Sequence, residues 1–160
     1  MTDRVPLSNA GVRFPPPLLF VIGFLAGWVL DRYWHALPLS RFAGSALKPF
    51  GWAALALGVV LSGWGVLTFR RAKTAIVPHH SASQLVTHGP YRFTRNPMYT
   101  GSTIVYLGGA ALLDSAWPVI VLPAVILFLV ETVISREEMY LRDAFGAEYT
   151  GYAASVRRWL

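Results

Sequence analysis

Two long apolar blocks enclose a short polar one. Residues 49–69 run for 21 positions without a charge, and residues 98–130 run for 33 with a single charge, Asp114. An earlier apolar run, residues 18–30, is shorter. Charge-free runs of about 20 residues predict membrane-spanning helices, since roughly 30 Å of hydrocarbon must be crossed at 1.5 Å per residue. Inside lipid the backbone has to satisfy its own hydrogen bonds, which selects helices. The pattern predicts an all-α polytopic membrane protein, one domain over residues 1–160, with about four transmembrane helices near residues 16–34, 46–69, 98–113 and 116–134.

The breaks between runs refine this picture. Leu113-Asp114-Ser115-Ala116-Trp117-Pro118 carries turn chemistry and a charge, so the last two spans form a helical hairpin with a wet tip at Asp114. Tyr33 and Trp34 suit an interfacial belt. Gly23 and Gly27 make a GxxxG, which seats either a homodimer or another helix of the same chain. Gly51, Gly58, Gly63 and Gly65 predict close helix packing in the second span. Residues 135–160 form no span. Leu141 and Phe145 at i and i+4, flanked by charges, predict an amphipathic helix that stops near Gly146 and returns to the membrane surface or the central loop.

Charge then orients the chain. Residues 70–95 hold Arg70, Arg71, Lys73, Arg92 and Arg95 with no acid, and the tail holds Arg136, Arg142, Arg157 and Arg158. The positive-inside rule puts both basic segments and the N-terminus on the cytoplasmic side. The net charge of +6 therefore reads as membrane topology, not nucleic-acid binding. Only 14% of residues are charged, against roughly 25% in an ordinary soluble domain. No cysteine is present, which removes disulfides and thiolate chemistry and fits a bacterial inner membrane. No cleavable signal peptide is expected, because residues 1–14 are polar and the first apolar run opens on Pro15, Pro16 and Pro17. His79, His80 and His88 lack a neighbouring carboxylate, so no metal site is expected.

The candidate chemistry lies in QLVTHGPYRFTRNPMYTG, residues 84–101. Gly89-Pro90 and Asn96-Pro97 are turn dipeptides. Tyr91, Phe93 and Tyr99 offer flat faces, and Arg92 and Arg95 can hold an anion. A loop of snorkelling arginines and belt aromatics explains the same residues without a ligand. Past the last span stand Glu137 and Glu138, whose side chains diverge by about 100° on a helix. Ser135 and Glu138 match a capping box, which leaves Glu137 to face a ligand; a solvated surface pair explains the same two residues without one. Glu131, inside the last span, would face a cavity or the interface.

Residues 85–101, LVTHGPYRFTRNPMYTG, followed by REEMYLRDAFGAEYTGYAASVRRWL at residues 136–160, resemble the isoprenylcysteine carboxyl methyltransferases and their phospholipid methyltransferase relatives. The family pattern is L-V-T-x-G-x-Y-x-x-x-R-H-P-x-Y-x-G, then E-E-x-x-L-x-x-x-F-G-x-x-Y-x-x-Y. The resemblance implies an integral membrane methyltransferase that uses S-adenosylmethionine. It implies cofactor contacts from Gln84, Leu85, Val86, Tyr91, Asn96, Pro97, Met98, Tyr99 and Glu137, with Gly89 and Arg95 shaping the loop, and catalytic roles for Glu137 and Arg95. A lipophilic small molecule or lipid would be the methyl acceptor, reached from within the membrane at its cytoplasmic face. Two positions depart from the pattern. Asn96 stands where the motif has histidine. Val133 stands where the prenylcysteine enzymes place an arginine, which points toward a neutral or amine-bearing acceptor. The alternatives are an NADPH-dependent membrane reductase of the sterol-reductase type and a non-catalytic membrane scaffold.

Overall fold

The computed structural model describes residues 15–34, 38–72 and 84–160. Among these residues every regular element is helical. Helix α1 spans Pro16–Tyr33, the short α2 spans Ser40–Ala43 and leads through a 3₁₀ turn into α3, Leu47–Arg71. A 3₁₀ turn at Gly89–Arg92 precedes α4, Pro97–Leu113. Helix α5, Ala116–Leu129, runs through a π-helical turn, Val130–Ile134, into α6, Ser135–Ser155. Proline opens α1 and α4, where its missing N–H costs nothing.

Two helical stretches, Ser40–Arg71 and Ala116–Ser155, are long and apolar enough to cross a membrane. Large apolar side chains such as Ile22, Trp52, Val60 and Leu127 point outward. A smaller set, including Phe20, Tyr106, Leu122, Val125, Leu129, Val133 and Tyr140, forms the core.

Helices α3 and α4 pack antiparallel along a glycine seam. A Cβ on Gly58 would lie 2.5 Å from the Gly101 carbonyl oxygen, and one on Gly108 would lie 2.8 Å from that of Gly51. Glycine recurs every seven residues on both helices, so the seam tracks one face of each. Gly65 continues it against Met98, whereas Gly63 faces open space and takes no part.

Gly23 and Gly27 are buried against α5. A Cβ on Gly27 would lie 2.6 Å from Pro118 Cα, and one on Gly23 would strike Val125. The face needed for a homodimer through these glycines is already occupied by the chain itself, so the GxxxG is an intrachain seam.

One end of the bundle is closed by hydrogen bonds. Asp114, in the left-handed region at φ 56°, accepts from Ser40 N and Ser40 Oγ, both at 2.6 Å. These donors hold its carboxyl below the usual carboxylate range. Ser115 Oγ donates to Asp31 Oδ1 at 2.6 Å, and Trp117 Nε1 to the Trp34 carbonyl at 2.6 Å. The antiparallel packing puts Arg70, Arg71, residues 89–96 and the start of α6 at the opposite end.

The tail returns to the central loop. Helix α6 kinks at Gly146, φ 50° and ψ −119°, where the sequence predicts a stop. Past it, Tyr152 donates to the Tyr91 carbonyl at 2.8 Å, and Arg95 N donates to the Arg157 carbonyl at 2.9 Å.

Candidate functional site

The junction of α5 and α6 sets the site. No cap interrupts the chain there. Ile134 has helical dihedrals, and no side chain caps the start of α6. The capping box expected of Ser135 and Glu138 is therefore absent, because the helix enters from a π turn and its first N–H groups find carbonyls in the preceding turn. Such single π turns often occur at functional sites. Glu131 lies in this turn and is exposed.

From α6 the two carboxylates diverge as helical geometry requires. The Tyr99 hydroxyl, from the first turn of α4, donates to Glu137 Oε1 at 2.9 Å. Burial pushes the Glu137 carboxyl up to about 7; the Tyr99 hydrogen bond opposes this and the Glu138 charge adds to it. Glu138 is buried and takes Arg158 in two-pronged fashion, Nε at 2.9 Å and Nη2 at 2.8 Å. Arg95 Nη1 approaches the same carboxylate at 3.2 Å and donates to the Tyr149 hydroxyl at 3.3 Å. Glu138 is thus neither solvated nor a cap. It is the centre of an ion-pair network.

Tyr91 stands in the 3₁₀ turn over the end of α3. Its ring meets Phe69 edge-on with centroids 5.1 Å apart. Its hydroxyl is buried without a hydrogen-bond partner among the described residues. Burial, with Tyr152 and the Glu137 charge reinforcing it, raises its pKa well above the ordinary phenol value. Gly89 makes this turn possible: its φ is 63°, and a Cβ would lie 2.8 Å from Thr68 Oγ1.

The structure sorts the sequence-predicted residues into groups. Tyr99 and Glu137 touch, and the Glu137 charge is felt at Tyr91. Val86 and Pro97 are buried, while Leu85 and Met98 are half-buried beside them in the chain. Gln84 is exposed and donates to the Ala72 carbonyl, closing the base of the loop. Asn96, expected to contact a cofactor, gives its amide nitrogen to the Arg158 carbonyl at 3.1 Å. Arg95, expected as a catalytic cation, is committed to Glu138 and Tyr149. Val133, whose apolar character suggested a particular acceptor, is 1% exposed within the core. Its surroundings are those of a packing residue. His79, His80 and Lys73 lie outside the described residues, and no cluster with metal-ligand character occurs among the described ones.

The sequence placed the start of the tail at the site and its return near the central loop, but not the residues that make the connection. Thr94, Tyr149, Tyr152 and Arg158 fasten the loop to the tail. The tyrosines were findable as the Y-x-x-Y of the motif. Arg158 carried no signal beyond its charge.

These features define an all-helical protein with a carboxylate–phenol cluster at one end of its bundle. Comparison with known proteins places it further. Residues 47–148 match the family model described as phospholipid methyltransferase. The probable protein-S-isoprenylcysteine O-methyltransferase of Oryza sativa subsp. indica is 32% identical over 112 residues, covering 69% of this chain and 59% of that protein. Protein-S-isoprenylcysteine O-methyltransferase B of Arabidopsis thaliana is 31% identical over 115 residues, covering 69% of this chain and 57% of that protein. The chain thus matches little more than half the length of these relatives. No solved structure matches it. The chain belongs to the phospholipid and isoprenylcysteine methyltransferase family.

Proposed function

We propose that the protein is an integral membrane methyltransferase that draws on S-adenosylmethionine and methylates a lipophilic acceptor at the cytoplasmic face. The observation that carries this reading is the Tyr99–Glu137 contact beside the buried Tyr91 hydroxyl. Family membership supports the reaction class.

The residues present fit the cofactor. Its ammonium and ribose hydroxyls need acceptors, and Glu137 offers a carboxylate. The Tyr91 hydroxyl is a buried polar atom with no partner among the described residues, so a ligand atom would satisfy it. Leu85, Val86 and Met98 supply apolar surface for an adenine. When bound, S-adenosylmethionine supplies an electrophilic methyl group on a sulfonium.

The chain's own contribution is alignment and proton handling. Holding two reactants in line supplies roughly 7–11 kcal/mol of barrier reduction. Glu137, up at about 7, accepts or releases a proton at its carboxylate near neutral pH. An ammonium acceptor needs that service, whereas a carboxylate acceptor does not. Helices α1, α3, α4 and α5 with the π turn would be the four spans, leaving α6 and the 84–96 loop in the cytoplasm. The outward apolar surface and the basic residues at one end support this orientation.

Calorimetric titration of the purified protein with S-adenosylhomocysteine and with NADPH tests the reading. Binding of the first and silence with the second is expected. The reverse would replace it with a reductase, and silence with both would leave a scaffold.

A further inference from the structure

The second glutamate has no place in the chemistry just described, yet it is the more elaborately bonded of the two. Glu138 sits between Arg95, on the loop, and Arg158, near the end of the chain. The backbone repeats the same connection. Thr94 Oγ1 and Asn96 Nδ2 both donate to the Arg158 carbonyl, at 3.0 and 3.1 Å, and Arg95 N donates to the Arg157 carbonyl at 2.9 Å. Residues 156–158 therefore lie across residues 94–96 as a strap. It is fastened by hydrogen bonds, one ion-pair network and the packing of the adjoining Trp159 against the core.

The strap is attached to the rest of α6 through Gly146. That residue has φ 50°, and open space surrounds the position of its missing Cβ. Glycine has no Cβ to resist a change of backbone angle there, and the bond its carbonyl accepts from Thr150 Oγ1 at 3.0 Å lies on the tail side and can move with it. On the near side of Gly146, Tyr140 anchors α6 in the core. On the far side, Tyr152 holds the Tyr91 carbonyl, and Tyr91 is the residue whose hydroxyl is left for a ligand.

We propose that Glu138 is a positioning residue: with Arg95 and Arg158 it fastens the strap across the 94–96 loop, and the strap lifts about Gly146 to admit ligand to the Tyr99–Glu137 site. The proposal rests on the cofactor-binding reading of that site. Opening breaks these polar bonds and withdraws the buried Tyr149 ring and the core contact of Trp159, but the packing of α1, α3, α4 and α5 is untouched, so it costs less than global unfolding. Asn96, in the place of a motif histidine, joins the strap through an amide that does not titrate, so this bond is indifferent to pH.

The test uses the chain's lack of cysteine. Phe93→Cys on the loop and Ala154→Cys on the tail, both exposed, carry nitroxide labels in the full-length protein, and their separation is read by pulsed electron resonance. The parent should give one narrow distance. Arg158→Ala should add a longer, broad component, and Arg158→Lys should restore part of the narrow one. S-adenosylhomocysteine should bind Arg158→Ala about tenfold more weakly, the loss expected when one charge-assisted bond no longer holds the closed form. Far-UV circular dichroism should match the parent. Unchanged distances and affinity in Arg158→Ala would overturn the proposal. A parent that binds no S-adenosylhomocysteine, with Arg158→Ala still broadened, would support the strap and overturn the methyltransferase reading instead.

Discussion

Glu137 and Glu138 are neighbours in sequence with opposite surroundings: one accepts a single bond from a phenol, the other is held by two guanidiniums. About 100° of α6 separates a carboxylate whose pKa burial raises from one paired with two arginines. On the reading proposed above, the pair divides its labour between ligand and scaffold.

Glu137→Gln should weaken S-adenosylhomocysteine binding by about 1.5–3 kcal/mol, the range for a hydrogen bond to a charged group. Circular dichroism should show the fold retained, since the amide oxygen can still accept from Tyr99. Calorimetry on both proteins checks this.

The same residue predicts a pH profile. Its folded value of about 7 lies above the ordinary 4.5, so the folded chain keeps a proton where the unfolded chain has lost it. Its contribution to stability is present below about 4.5 and is lost as pH rises through about 7. Ligand affinity should move the other way, strengthening over that interval as the carboxylate ionises. In Glu137→Gln both trends should flatten. Thermal denaturation and ligand titration from pH 5 to 8 read them (a span of about three units around the shifted value).

Glu138→Ala leaves Arg95 and Arg158 facing each other without a counter-charge. Removing one partner of a buried pair costs about 3–5 kcal/mol, and Arg158's partial exposure favours the lower end. A marked drop in thermal midpoint in detergent is expected, far more than for Glu137→Gln. Similar midpoints for the two variants would show that the network does not stabilise the fold.

Gly58→Ala places a methyl 2.5 Å from the Gly101 carbonyl oxygen, whereas Gly63→Ala meets nothing within 4 Å. The first should destabilise by about 1–3 kcal/mol through overpacking. The second should be neutral or stabilising by up to about 1 kcal/mol, from helix propensity. Denaturation of the two variants side by side separates packing from composition.

Val133→Arg would put a guanidinium at a core position that is 1% exposed. An unpaired buried charge costs several kcal/mol, so poor yield or a lowered midpoint is expected, with no gain in methylation of a prenylcysteine analogue.

The helices were legible in the sequence because lipid-length apolar runs and proline starts leave little choice. Span limits of 46–69, 98–113 and 116–134 lie within two residues of Leu47–Arg71, Pro97–Leu113 and Ala116 to the end of the π turn at Ile134. The divergence of Glu137 from Glu138 followed from helical pitch alone. What Glu138 does was not legible. Its partners are Arg95 and Arg158, 43 and 20 residues away, and no local pattern announces them. The π turn defeated the capping-box reading for a related reason, since S-x-x-E marks a helix start only where a helix actually stops before it. Gly23 and Gly27 showed that a close approach was intended without naming the partner, and the fold supplied α5.

The seven-residue spacing of the α3–α4 seam also fixes where motion can occur. Gly58 meets Gly101 and Gly51 meets Gly108. The next alignment that again sets glycine against glycine is displaced by seven residues, roughly 10 Å along the axis. Helices α3 and α4 are therefore indexed like a rack, with Gly65 against Met98 at the end nearest the site. On the reading proposed above, gating of the site falls to the tail and not to piston-like travel of these helices.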